Sequence, residues 1–168
     1  MLPLILTTAH LTLIAGTSQL TRMETNDRIH FARLLNASIP ESWPLLLEDT
    51  HPIEPDAIGW GEWYFVRTEG MVAIGAGAFK GIPTTDGTVE VGYSILSEYQ
   101  GRGFGTVAVD ALVKWALAQP NVTRVIAETL PQFAASIRVL EKLAFRRVGG
   151  GSAPGIIRFE LRGTQLHA

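Results

Sequence analysis

The segment Gln100-Gly101-Arg102-Gly103-Phe104-Gly105-Thr106 runs straight into an apolar-periodic stretch that ends at Pro120. A strand-like run, Thr88 to Ile95, stands just before it. This is the pattern of a strand joined to a helix by a glycine-rich turn, and it calls for an architecture with helices packed on a sheet. The turn presents backbone N–H groups at the positive end of a helix dipole, which suits a phosphate. Glycine at three of its positions lets the backbone take positive φ and approach an anion with no Cβ in the way. The sequence therefore points to a phosphate-bearing ligand.

Whole-chain properties narrow the class. A chain of 168 residues reads as one domain, long enough to bury about 70% of its unfolded surface. Its apolar fraction is 46% and its charged fraction 18%, which fits a globular core. A net charge of −2 argues against a general nucleic-acid or membrane-surface binder. The chain has no cysteine, which removes disulfides, thiolate metal sites and an acyl-cysteine route. His10, His30, His51 and His167 have no paired spacing, so no metal is expected. The apolar start lacks a basic leader region and is broken by Pro3 and His10. It reads as a buried first strand, Leu11 to Ile14, and a cytoplasmic protein is expected.

Thr17 can cap a helix toward Leu35, with Leu20, Met23, Phe31, Leu34 and Leu35 on its apolar face, or two shorter helices broken near Asp27. A short helix through Leu45-Leu46-Leu47 is followed by irregular chain to Asp56. Strands are expected at Trp63 to Thr68, Val72 to Phe79 and Thr88 to Ile95. A helix from Phe104 to Ala118 has Ala108, Ala111, Leu112 and Trp115 on one face, with Asp110 and Lys114 paired i,i+4. A strand Arg124 to Thr129, a helix Ala134 to Leu143 and closing strands Phe145 to Val148 and Ile156 to Leu161 complete the chain.

Three phosphate-turn or glycine-motif readings compete. A dinucleotide turn needs GxGxxG after a first strand, whereas this spacing is GxGxG and late in the chain. Arg102 to Val109 half-matches an RNA-recognition signature, but Thr106 and Val109 stand where stacking rings belong. In the third reading the turn cradles a pyrophosphate. Gln100, Gly103 and Gly105 fit the pattern Q/R-x-x-G-x-G/A, with Val89 to Ile95 upstream and Ala127-Glu128-Thr129 and Ser136 to Phe145 downstream. On these residues the chain resembles the GNAT N-acyltransferases, and among them the branch acting on ribosomal-protein N-termini. Gly75 to Gly81 lacks the Gly-Lys-Ser/Thr ending of a P-loop.

The resemblance implies an α/β (α+β) fold with a mixed central sheet of six to seven strands, splayed between the fourth and fifth and flanked by about four helices. It implies acetyl-CoA as co-substrate, its pantetheine arm along Ile95, Leu96 and Ser97. Its pyrophosphate would lie on the amides of Gly101, Arg102, Gly103, Phe104, Gly105 and Thr106 next to Gln100, with Arg102 assisting. An amide near Leu96 would face the thioester oxygen. Phe133 stands where the family often has an asparagine, Ala144 where it has glycine, and Leu140 where many members carry a proton-donating tyrosine. Ser136 is the substitute donor. Glu90 is the first candidate base, through water, and Glu128 the second.

The acceptor is expected to be a peptide, polyamine or small-molecule primary amine, taken by direct attack in a ternary complex. Trp43, Trp60, Trp63 and Tyr64 are candidate walls, and Glu41, Glu48, Asp49, Glu54 and Asp56 make that region acidic. A solvated acidic loop is the competing reading of those carboxylates. A non-catalytic acyl-CoA sensor is the alternative function. The protein is expected to be a monomer or homodimer.

Overall fold

The computed structural model describes residues 3–44 and 57–163. The expected helix at Leu45 to Leu47, the carboxylates Glu48, Asp49, Glu54 and Asp56, and His51 and His167 lie outside the described residues.

Among the described residues eight strands form one sheet: β1 (Ile5–Thr7), β2 (Leu11–Ala15), β3 (Glu62–Arg67), β4 (Val72–Phe79), β5 (Thr88–Ile95), β6 (Arg124–Thr129), β7 (Arg146–Gly150) and β8 (Ile157–Arg162). Four α-helices accompany them among the described residues: α1 (Ser18–Asn26), α2 (Arg28–Leu35), α3 (Phe104–Leu117) and α4 (Ala134–Lys142). The strand order is β1-β2-β3-β4-β5-β6-β8-β7. One strand more is present than the upper expectation of seven. The strand that sequence periodicity missed is β1, a three-residue edge paired antiparallel to β2 through Ile5↔Ile14, Leu6↔Leu13 and Thr7↔Thr12. Three residues are too few for alternation to stand out.

Capping explains where the first helices start and stop. Thr17 Oγ1 accepts from the Leu20 amide at 3.2 Å and starts α1. Asp27 ends it by donating its amide to Met23 O, and its carboxylate accepts from the His30 amide at 3.0 Å to open α2. The choice between one helix and two is thereby resolved as two. Phe31 and Leu35 are buried, whereas Leu34, expected on the same face, is exposed. On α3 the buried stripe is Ala108, Val109, Leu112, Val113 and Ala116. The Asp110–Lys114 pair forms at 2.8 Å. No described helix is long and apolar enough to cross a membrane.

The sheet separates two cores. On one face Trp63, Phe65, Val89, Val91 and Ile95 pack with the buried side of α3 and with Leu140 of α4. On the other face Ile14, Tyr64, Val66 and Ala76 pack with Leu20, Phe31, Leu35 and Trp43 from the α1–α2 side.

All neighbouring strands run antiparallel except β5 and β6, which are joined through α3 and run parallel. Their pairing lasts three residues, Thr88↔Arg124, Val89↔Val125 and Glu90↔Ile126, and then the strands part. Arg124 clasps the joined end: its guanidinium donates to Thr88 Oγ1 at 2.6 Å, Asp86 Oδ2 at 3.0 Å and Glu160 Oε2 at 3.1 Å. A V-shaped cleft therefore opens toward the C-terminal ends of β5 and β6.

Candidate active site

Backbone direction in β5 follows from ladder alternation. The Lys80 amide donates to Glu90 O at 3.0 Å and the Leu96 amide to Ile74 O at 2.8 Å, so even-numbered residues address β4. Gly87 O accepts from the Thr123 and Arg124 amides, so odd-numbered residues address β6. Beyond Glu90 the pairing with β6 has ended, and the backbones of Tyr93 and Ile95 turn into the cleft. The Leu96 amide, expected to face the thioester, is instead spent inside the sheet.

At the mouth of the cleft a 3-10 turn, Ser97–Tyr99, leads into the glycine segment. Gln100 Nε2 donates to Ile95 O at 2.8 Å and ties the turn to the end of β5. Gly101 and Gly103 have φ of 76° and 83°, the left-handed region that favours glycine. Among the described residues, a Cβ at either position would meet no atom within 4 Å. Gly105 is different: it is helical, and a Cβ there would come 3.7–3.9 Å from Ile95, Tyr93 and Val139. The first intrahelical bond of α3 runs from the Val107 amide to Gly103 O, and no side chain caps the helix. The amides of Phe104, Gly105 and Thr106 thus have no partner within α3 and point outward. Arg102 is exposed and lies over the Tyr99 ring at 5.6 Å. Ser97 is exposed at the rim.

From across the cleft α4 brings Ser136. Its Oγ lies 3.2 Å from the Tyr93 hydroxyl, which reaches over from β5. Burial raises the Tyr93 pKa, outweighing the opposing effect of the Ser136 hydrogen bond, so the phenol keeps its proton. Sequence reasoning assigned Tyr93 no role. The signal was the β5 alternation, which sets Tyr93 on the α3–α4 face with Val91 and Ile95. Leu140 is 1% exposed and belongs to the core, so the family's usual donor position is purely structural here. Phe133 precedes α4, is exposed and provides no side-chain cap.

The two candidate bases have different surroundings. Glu90 lies on the last paired rung, half-buried, with Oε1 2.8 Å from Lys80 Nζ. Glu128 accepts from Arg158 Nη2 at 2.7 Å, the Ser152 amide at 2.9 Å and Ser152 Oγ at 2.7 Å. Burial alone would raise the Glu128 pKa, but the Ser152 and Arg158 hydrogen bonds outweigh it and hold the carboxyl below its ordinary value. Its network ties β6 to β8 and to the connection before it.

The α1–α2 face of the sheet beside the cleft carries small residues. Tyr64↔Ala76↔Ser94 and Glu62↔Ala78↔Gly92 are consecutive same-face rows across β3, β4 and β5. Among the described residues nothing lies within 4 Å of where a Gly92 Cβ would stand. At the far end of these rows Tyr64, Glu62, Glu24 and Trp43 form a hydrogen-bonded group. The four aromatics expected as acceptor walls divide: Trp43 and Tyr64 belong here, whereas Trp60 (tilted) and Trp63 (edge-on) pack against Trp115 on the opposite face. A cavity of about 650 Å³ lined by Arg28, Ile29, Arg33, Asn36 and Met71 opens beside α2 and includes no cleft residue.

Comparison with known proteins agrees with this geometry. Residues 14–146 match the family model described as "Acetyltransferase (GNAT) domain". The uncharacterized N-acetyltransferase YjdG of Bacillus subtilis (strain 168) is 29% identical over 87 residues, 52% of each chain. The matched region thus spans about half the length of that curated relative. A GNAT-family acetyltransferase structure from Bacillus anthracis superposes with a TM-score of 0.66 at 15% identity, covering 96% of this chain and 99% of that one. A ribosomal-protein-S5-alanine acetyltransferase from Vibrio fischeri superposes with a TM-score of 0.65 at 19% identity, covering 95% and 97%. The match to the domain model over most of the chain, on a sheet that opens beside a glycine-led helix, establishes that this chain belongs to the GNAT acetyltransferase family.

Proposed function

We propose that this chain is an acetyl-CoA-dependent N-acetyltransferase that acetylates a primary amine by direct attack in a ternary complex. The observation that carries the reading is the β5–β6 cleft, which opens onto the uncapped N-terminus of α3. The donor set fits the co-substrate: outward amides at Phe104, Gly105 and Thr106, and positive-φ glycines whose missing Cβ atoms clear an approach. Ile95, Leu96 and Ser97 line the rim along which the pantetheine arm extends, with Gln100 fixing the turn and Arg102 adding charge. Phe133 offers that arm apolar cover. Acetyl-CoA supplies the activated acetyl group as a thioester.

The residues divide the remaining work. The Tyr93 amide, turned into the cleft, is the donor for the thioester oxygen, because the Leu96 amide is committed to Ile74. Ser136, hydrogen-bonded to the buried Tyr93 phenol, delivers a proton to the departing thiolate. Glu90, on the same face as Gly92, orders water next to the amine. Glu128, bound by Arg158 and Ser152, supports the β6 wall. An α-amine with pKa near 8 is about 10% neutral at pH 7, whereas a lysine is below about 0.1%. An N-terminal or similarly weakly basic amine is therefore the acceptor class needing least help.

A thermal-shift comparison with acetyl-CoA, coenzyme A and NADH tests this. Saturation to 100 times Kd adds about 2.7 kcal/mol, or about 5–10 °C in Tm. A rise with both coenzyme A species and none with NADH, followed by thiol release with an amine, is expected. Binding without thiol release from any amine would favour a non-catalytic acyl-CoA sensor.

A further inference from the structure

A group of two carboxylates and a phenol stands at the end of the small-residue rows that lead from the cleft. Glu24 of α1 accepts from Trp43 Nε1 at 2.9 Å through Oε1. Its Oε2 lies 2.8 Å from the Tyr64 hydroxyl, which is 3.3 Å from Glu62 Oε2. A phenol has one proton to give. Given to Glu24, the nearer partner, it leaves the Tyr64 and Glu62 oxygens facing each other lone pair to lone pair. That contact closes only when Glu62 carries a proton and donates it to Tyr64. The group therefore holds one place for an added proton, on Glu62.

We infer that Glu62 receives the proton of the incoming ammonium through water, with Glu24 and Tyr64 as positioning residues. The inference rests on the acetyl-transfer reading. Glu62 lies in the row Glu62↔Ala78↔Gly92, two strand spacings or about 10 Å from the cleft edge. Ala78 is the intervening residue of that row, and among the described residues nothing lies within 4 Å of where a Gly92 Cβ would stand. Glu90 is nearer along β5, but its carboxylate is paired with Lys80.

The step balances as follows. One ammonium proton passes through water to the Glu62 carboxylate and later to solvent. The neutral amine then forms the C–N bond as the C–S bond breaks. The thiolate takes a proton from the Ser136–Tyr93 pair, and the second amine proton lost on C–N formation restores that pair.

Among the described residues, the charged and titratable groups around Glu62 are few. Glu24 faces it from α1 and Tyr64 from its own strand. Lys80, just past the end of β4, is paired with Glu90 of β5. On the β2 side Gly16 donates its amide to Glu62 O, and Ile14 and Ala15 are apolar. Arg28 of α2 is directed to the carbonyls of Ile39, Pro40 and Trp43. Burial, and then the charge of Glu24, push the Glu62 carboxyl up to about 7. Burial also raises Glu24 against its Tyr64 and Trp43 hydrogen bonds.

The test follows thiol release across pH with an alanine-initiated hexapeptide and with spermidine as probes, and titrates the Glu62 carboxyl carbon by 13C NMR. The expected carbon midpoint is near 7, and the expected profile has an acidic limb there. Glu24→Gln should move both to lower pH, because it removes the neighbouring charge; an acceptor's own pKa would not respond. Glu62→Gln should remove that limb and cost about 100-fold in kcat/KM, while Glu90→Gln lowers the rate with the limb in place. A limb unaffected by Glu62→Gln, or a carbon midpoint in the ordinary carboxylate range, overturns the inference and leaves the acetyl-transfer reading standing. No thiol release by the wild-type protein with either amine, despite acetyl-CoA binding, overturns both.

Discussion

Glu62 illustrates how one side chain can work against the stability of the fold that holds it. Its folded pKa of about 7 lies above the ordinary value of 4.5, so the native state binds more protons than the unfolded chain between those pH values. Stability contributed this way is fully present below about pH 4.5 and is lost as pH rises through 7, by up to about 3 kcal/mol at 1.36 kcal/mol per pKa unit. Denaturant titrations at pH 5.5 and 8 are expected to show the wild type losing stability at the higher pH and Glu62→Gln losing less. Equal slopes would mean that Glu62 titrates normally. Glu128 has the opposite sign: its lowered pKa contributes stability above the ordinary carboxylate value that is lost on acidification. The positive-φ glycine turn was legible in the sequence as a local motif, whereas Ser136 was proposed only through the family resemblance. The Glu24–Tyr64–Glu62 group was not, since Glu24 and Tyr64 are 40 residues apart and meet only when α1 packs on the sheet.

Among the elements, α4 ends on a residue that its geometry disfavours. Ala144 has φ of 66°, where the left-handed conformation costs a non-glycine residue about 1–2 kcal/mol. The Ala144 amide donates to Glu141 O and the Phe145 amide to Leu140 O, both at 3.0 Å, which fixes the turn and directs Phe145 into the core. Ala144→Gly relieves the strain but frees the unfolded chain by about 0.4–1 kcal/mol. A net gain of about 0.5–1 kcal/mol is expected, seen as a Tm higher by about 1–4 °C. An unchanged or lower Tm would show that the surrounding turn already absorbs the conformation. Elements with strong punctuation, α3 after its glycines and β6 between Asn121 and Pro131, were readable to within a residue or two. The edge strands were less so: β1 is too short, and β7 is exposed along its whole length, with no buried face to impose alternation.

At the scale of the molecule, the sheet is two antiparallel blocks, β1 to β5 and β6-β8-β7, joined by three parallel rungs and bridged by helices. Ligand binding in such a cleft should act by residue parity along β5. Hydrogen exchange on adding acetyl-CoA is expected to slow at the Tyr93 and Ile95 amides, which turn into the cleft. The Leu96 amide, already donating to Ile74, should change little. Equal slowing at all three would instead indicate general tightening. The parting of β5 and β6 also bears on solubility. Interior strands normally have no edges, yet past Glu90 and Ile126 this sheet has two, facing each other within its centre. Strand edges template pairing with foreign chains, and helices guard these only from the sides. On the proposed reading, a co-substrate laid along them would double as a molecular shield, and the protein without acetyl-CoA is expected to self-associate more readily than the protein with it.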